Sequence, residues 1–78
     1  MSERFGWLDV QVIAEELADA HPGRDPLAVS FVDLRDLVEA LEGFTIEPGA
    51  RSEPTERILE EIQRLWNEED LDLQGDDG

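Results

Sequence analysis

The side chains able to do chemistry in this 78-residue chain are almost all carboxylates: 21 Asp and Glu stand against six basic residues, one His and no Cys. Two spacings would let carboxylates act together. Glu15 and Asp19, at i and i+4, share one helix face, and Asp36 and Glu39, at i and i+3, share another. Such pairs can hold a hard cation through oxygen, weakly and with water completing the shell. The competing reading of each single pair is a solvated helix face, and the abundance of acids favours it. His21, without Cys or a second His, falls short of the three or four protein ligands of a zinc site and reads as a helix-end residue. Asp70-x-Asp72-x-Gln74-Gly75 resembles the start of a calcium loop, but Gln74 stands where a strong oxygen donor belongs, and the segment reads as a solvated acidic tail. There is no serine-histidine-aspartate arrangement and no glycine-rich phosphate loop, so an enzyme is not expected. The absence of Cys removes thiolate metal sites, cluster ligation through sulfur and thiol nucleophiles.

The formal charge of −15 narrows the partners. All six basic residues are Arg, too few to displace the counterions of a nucleic acid or to hold an anionic membrane. The expected partners are cationic: a basic protein patch or metal ions. Residues 1–6 lack the basic and apolar regions of a signal peptide, and no apolar run approaches a membrane span, which leads to an expectation of a cytoplasmic, monomeric protein. The acidity does not forbid folding. Leu, Ile, Val and Phe make up 22 of the 78 residues, above the roughly 20% that marks disordered chains.

The apolar residues are also periodic. Val10, Ile13, Ala14, Leu17 and Ala18 repeat as a helix face after Asp9, a candidate N-cap, and the pattern stops at His21-Pro22-Gly23, predicting a helix over 9–20. Asp25-Pro26 is a second start signal, with room only for a short turn before Ser30. Ser30-Phe31-Val32-Asp33 resembles a capping box, and Phe31, Leu34, Leu37, Val38 and Leu41 predict a helix over 31–42, stopped by Gly43. Phe44–Arg51 breaks periodicity and predicts a loop with a hairpin-like wing. Ser52-Glu53-Pro54 opens the last helix, predicted over 54–69 with Ile58, Leu59, Ile62, Leu65 and Trp66 on its apolar face. Glu53–Arg57, Arg57–Glu61 and Glu60–Arg64 are candidate i, i+4 ion pairs. The fold class is therefore all-α: a small orthogonal three-helix domain over residues 1–69 with a short extra helical turn, followed by a disordered acidic tail over 70–78. The two inner helices resemble a helix-turn-helix. Yet residues 31–42 carry Asp33, Asp36, Glu39 and Glu42 against one Arg35, so the DNA-binding reading fails on electrostatics rather than shape.

Trp7-x-Asp9, Ile13-Ala14, Leu17, Asp25-Pro26-x-x-Val29-x-Phe31-x-Asp33-Leu34, Leu41-x-x-Phe44, Pro48, Glu56-x-Ile58-Leu59-Glu60-x-Ile62-Gln63 and Trp66 together resemble the IscX family over roughly residues 7–69. The resemblance implies a small acidic helical domain likened to a winged helix, an adaptor or regulator of iron–sulfur cluster assembly. It also implies binding to a basic surface of the cysteine desulfurase IscS and weak iron binding through surface carboxylates. The matching acids are Asp9, Asp19, Asp25 and Asp33, with Asp9 and Asp25 also suited to capping. Helical geometry adds Glu15, Asp36 and Glu39. The expected metal-ligating set is Asp9, Glu15, Asp19 and Asp25, and the expected partner-binding set is Asp33, Asp36, Glu39 and Glu42. The chain departs from the family where a run of aspartates usually precedes the loop proline, reading Thr45-Ile46-Glu47 instead, and Val32 stands where threonine is usual. The alternative is an acidic interaction module, a nucleic-acid mimic or inhibitor of a basic partner, unrelated to cluster assembly.

Overall fold

The computed structural model describes residues 4–46, 48–49 and 53–74, with the side chains of 72–74 excepted. Three helices carry the fold: α1 (Val10–Ala20), α2 (Phe31–Glu39) and α3 (Glu56–Gln74), with a 3₁₀ turn (Pro26–Ala28) between α1 and α2. No β-sheet occurs among the described residues, and the expected all-α class holds. Among the described residues, the segment expected to form a hairpin-like wing contributes one isolated parallel bridge, Phe5 to Phe44. Its bonds run from Phe5 N–H to the Gly43 carbonyl at 3.1 Å and from Thr45 N–H to the Phe5 carbonyl at 2.9 Å. Glu47 and residues 50–52, within the expected loop and at the expected start of the last helix, lie outside the described residues.

Helix α1 buries the residues its periodicity singles out, Ile13, Ala14, Leu17 and Ala18. Its start corrects one expectation. Asp9 is the N-cap residue, but its side chain makes no cap hydrogen bond. Instead Oδ2 accepts from Gly6 N–H at 3.0 Å while Asp9 N–H donates to the Gly6 carbonyl, also at 3.0 Å. The carboxylate faces backward, onto the N–H of the preceding turn that seats Trp7 in the core. The other two caps form as expected. Asp25 Oδ1 accepts from Leu27 N–H at 3.1 Å, and Ser30 Oγ accepts from Asp33 N–H at 3.2 Å.

Helix α2 ends at Glu39, three residues before the predicted Glu42. Its last turn tightens, with Leu41 N–H donating to the Val38 carbonyl, and the chain reverses at Gly43, whose φ of 94° needs a residue without Cβ. Helix α3 starts at Glu56, two residues after the predicted Pro54, because Thr55 Oγ1 caps it by accepting from Ile58 N–H at 3.2 Å. It continues through Gln74, so residues 70–74, expected in the tail, are helical. The face Leu59, Ile62, Trp66 runs on to Asp70, which is 8% exposed. A carboxylate at the next core position hides the continuation from a hydrophobicity pattern. Residues 75–78 of the expected tail lie outside the described residues.

Helix α3 is the hub, packing on α1, on the 3₁₀ turn and on α2, while α1 and α2 barely touch. The core gathers Trp7, Ile13, Leu17, Leu34, Val38, Ile62 and Trp66, each at most 1% exposed. Phe44 completes an aromatic cluster at one end, its ring edge-on to Trp7 at 4.9 Å and to Phe5 at 5.9 Å. The 3₁₀ turn is latched by a single side chain. Gln63 Nε2 donates to the Pro26 carbonyl at 2.8 Å and the Val29 carbonyl at 3.1 Å. Gln63→Leu leaves both carbonyls without this donor and is expected to cost about 1–3 kcal/mol, at roughly 0.5–1.5 per bond. Gln63→Glu is expected to cost more at pH 7, because a carboxylate then faces two carbonyl oxygens. The folded protein disfavours that charged form, so the variant's deficit shrinks as pH falls and the new carboxyl protonates. Melting curves of both variants at pH 7 and near pH 4.5 check this; equal melting temperatures for wild type and Gln63→Leu would dismiss the latch.

Candidate functional site

The four expected partner-binding acids fall on one element and the turn that follows it. Leu34 and Val38 turn into the core from α2, and Phe31 and Leu37 are half-buried against it. The 3.6-residue period therefore directs Asp33, Asp36 and Glu39 outward, and all three are exposed. The Ser30 cap fixes the start of this face and places Asp33 in the first turn, where the helix dipole favours an anion. Glu39 is partly neutralised by Arg35, whose Nε lies 3.2 Å from Oε2. Both side chains are about two-fifths exposed, so solvent screens the pair and its contribution to stability is small. Glu42 sits exposed in the turn after the helix. Val32, 73% exposed, stands on the same face, one turn from Asp36 and beside Asp33.

The four expected metal-ligating residues are not drawn into one cluster. Asp9 is occupied by Gly6 N–H and Asp25 by Leu27 N–H. Glu15 Oε2 accepts from Gln11 Nε2 at 3.2 Å, and Asp19 lies exposed farther along α1. Among the described residues no group of three or more Asp, Glu, His or Cys is placed to hold a metal ion. What the sequence did not disclose is a link between helices: Gln11 Nε2 also donates to Glu69 Oε2 at 3.1 Å, bringing a carboxylate of α3 toward Glu15. The Gln11–Glu15 spacing marks half of this arrangement; nothing local marks Glu69.

The remaining chemical candidates resolve into structure. His21 caps α1, its backbone N–H donating to the Leu17 carbonyl at 2.9 Å, and its ring lies 6.5 Å from that of Trp66. The calcium-loop-like segment from Asp70 to Gln74 is helical, and a helix cannot wrap successive ligands around a cation. Arg64 pairs with Glu61 at 2.8 Å and Glu68 at 3.1 Å, not with the predicted Glu60. Its hydrogen bond and Coulomb attraction to Glu61, with a smaller share from Glu68, hold the guanidinium pKa above its usual value. Glu61, engaged by Arg64, makes no salt bridge to Arg57.

A family model described as iron–sulphur cluster assembly matches residues 5–70. The chain belongs to the IscX family. Over 63 residues it is also 43% identical to a Pseudomonas aeruginosa protein named "Uncharacterized protein PA3808", an alignment covering 81% of this chain and 91% of that one. The IscX match coincides with the packed unit: Phe5 and Asp70 are the first and last buried side chains described. Among the described residues no helix is long and apolar enough to cross a membrane. Membership in this family is consistent with a role in iron–sulfur cluster assembly.

Proposed function

We propose that this IscX-family protein is an adaptor of iron–sulfur cluster assembly, not an enzyme, which docks as a monomer on a basic surface of a cysteine desulfurase in the cytoplasm. The observation that carries the reading is the family match across residues 5–70, and the charge of −15 agrees with a basic partner. Residues 1–69 form the docking unit. Asp33, Asp36, Glu39 and Glu42 supply the contact surface, on a helix whose other face is locked in the core. Asp72, Asp76 and Asp77 add attraction at a distance and steer encounter. Iron is bound weakly and diffusely by exposed carboxylates, Glu15 and Asp19 foremost, since Asp9 and Asp25 already serve backbone N–H groups.

Titration into a cysteine desulfurase tests the reading. Binding is expected at low ionic strength and is expected to fall steeply as the Debye length shrinks from about 30 Å at 0.01 M salt to about 8 Å at 0.15 M. Undetectable binding at low salt would reject it. Titration with ferrous iron is expected to give a stoichiometry that climbs with metal concentration; a sharp one-site isotherm would contradict diffuse binding.

A further inference from the structure

We infer that Val32 is the apolar anchor of the α2 docking face, and that the partner presents a small apolar depression rimmed by Arg or Lys. The inference deepens the docking proposal and rests on it. An exposed apolar side chain alone is ordinary; what sets Val32 apart is its setting. Among the described residues it is the most exposed of the large apolar side chains at 73%, on a helix whose core-facing side is committed to Leu34 and Val38. Asp33 adjoins it and Asp36 lies one turn on. The single cation of the helix, Arg35, is drawn toward Glu39 with Nε to Oε2 at 3.2 Å. With Arg35 and Glu39 cancelling, Asp33, Asp36 and Glu42 leave the surface at −3. An apolar centre inside a charged rim is the layout of a protein interface, where the centre is desolvated and the rim stays wet. Charge decides the occupant. A second copy would bring the same acids against themselves, whereas a basic surface would satisfy them while its apolar centre covers Val32.

The two kinds of contact differ in their response to salt. Acid contacts weaken with ionic strength, and burial of an apolar side chain does not. The experiment is titration of wild type, Val32→Ala, Val32→Thr and Leu8→Ala into the desulfurase at several salt concentrations. Leu8, 71% exposed ahead of α1, controls for general stickiness. Both Val32 variants are expected to bind about three- to tenfold more weakly at every salt concentration, with the salt slope of the wild type. Leu8→Ala is expected to stay within about twofold of wild type. Wild-type affinity in the Val32 variants, or an equal loss in Leu8→Ala, overturns the anchor while the docking reading stands. Absence of wild-type binding at low salt overturns both.

Discussion

Trp66→Ala is expected to abolish cooperative unfolding, while Trp66→Phe stays close to wild type. The indole is fully buried at the centre of α3, one turn from Ile62 and with its ring centroid 6.5 Å from that of His21. Emptying such a site costs about 3–5 kcal/mol. A chain of this length has roughly 4–12 kcal/mol of stability in all, and self-repulsion at −15 keeps this one toward the low end. Phenylalanine refills most of the volume. It also removes a liability, because Trp66 Nε1 is buried and has no hydrogen-bond partner among the described residues. An unsatisfied buried donor costs about 1–3 kcal/mol, which offsets much of the contact area lost with the smaller ring. Urea unfolding followed by far-ultraviolet circular dichroism separates the outcomes. A Trp66→Phe loss as large as that of Trp66→Ala would show that the indole N–H is not a burden.

The second large effect concerns docking. Asp33→Lys, Asp36→Lys and Glu39→Lys combined change the charge by +6, from −15 to −9. They are expected to weaken binding to the desulfurase at low salt by about a hundredfold or more, since like charges set against each other across an interface cost several kcal/mol and each 1.4 kcal/mol is a factor of ten. The control makes the same change of +6 elsewhere, with Asp72, Asp76 and Asp77 turned to Lys, and is expected to lose about tenfold or less, because removing distant attraction affects encounter more than contact. Equal losses would mean that the partner senses total charge and not the α2 face. Folding should survive the triple reversal. Lysine at 33 loses a favourable interaction with the helix dipole, lysine at 39 gains one near the C-terminal end, and each is worth only about 0.3–1 kcal/mol.

The residues show why some of this was legible in the sequence. The stripes of α1 and α2 and the caps at Asp25 and Ser30 are local: each is a spacing within one or two helical turns, and each forms, whereas α2 ends at Glu39, short of the expected stop at Gly43, which instead turns the chain afterwards. The outward placement of Asp33, Asp36 and Glu39 follows from the same periodicity. What escaped depends on partners distant in sequence or on choices between near neighbours. The Gln63 latch spans 37 residues to Pro26, and the Gln11–Glu69 contact spans 58. The bridge that buries Phe5 joins it to Phe44, and no periodicity within residues 4–6 announces it. Asp9 serves the upstream N–H of Gly6 and not the helix it precedes. Asp70 reads as solvated tail by type but is buried by position.

The latch at Gln63 also orders events in time. During synthesis the turn at Pro26 and the start of α2 leave the ribosome well before the glutamine that secures them, and α1 and α2 offer each other little contact meanwhile. The first two-thirds of the chain therefore has little beyond the Phe5–Phe44 bridge and its aromatic cluster to fold onto until the last helix is out. A nascent chain stalled before Trp66 should be as open to proteases as an unfolded one, and the domain should gain its resistance in one step when α3 closes over all three earlier segments.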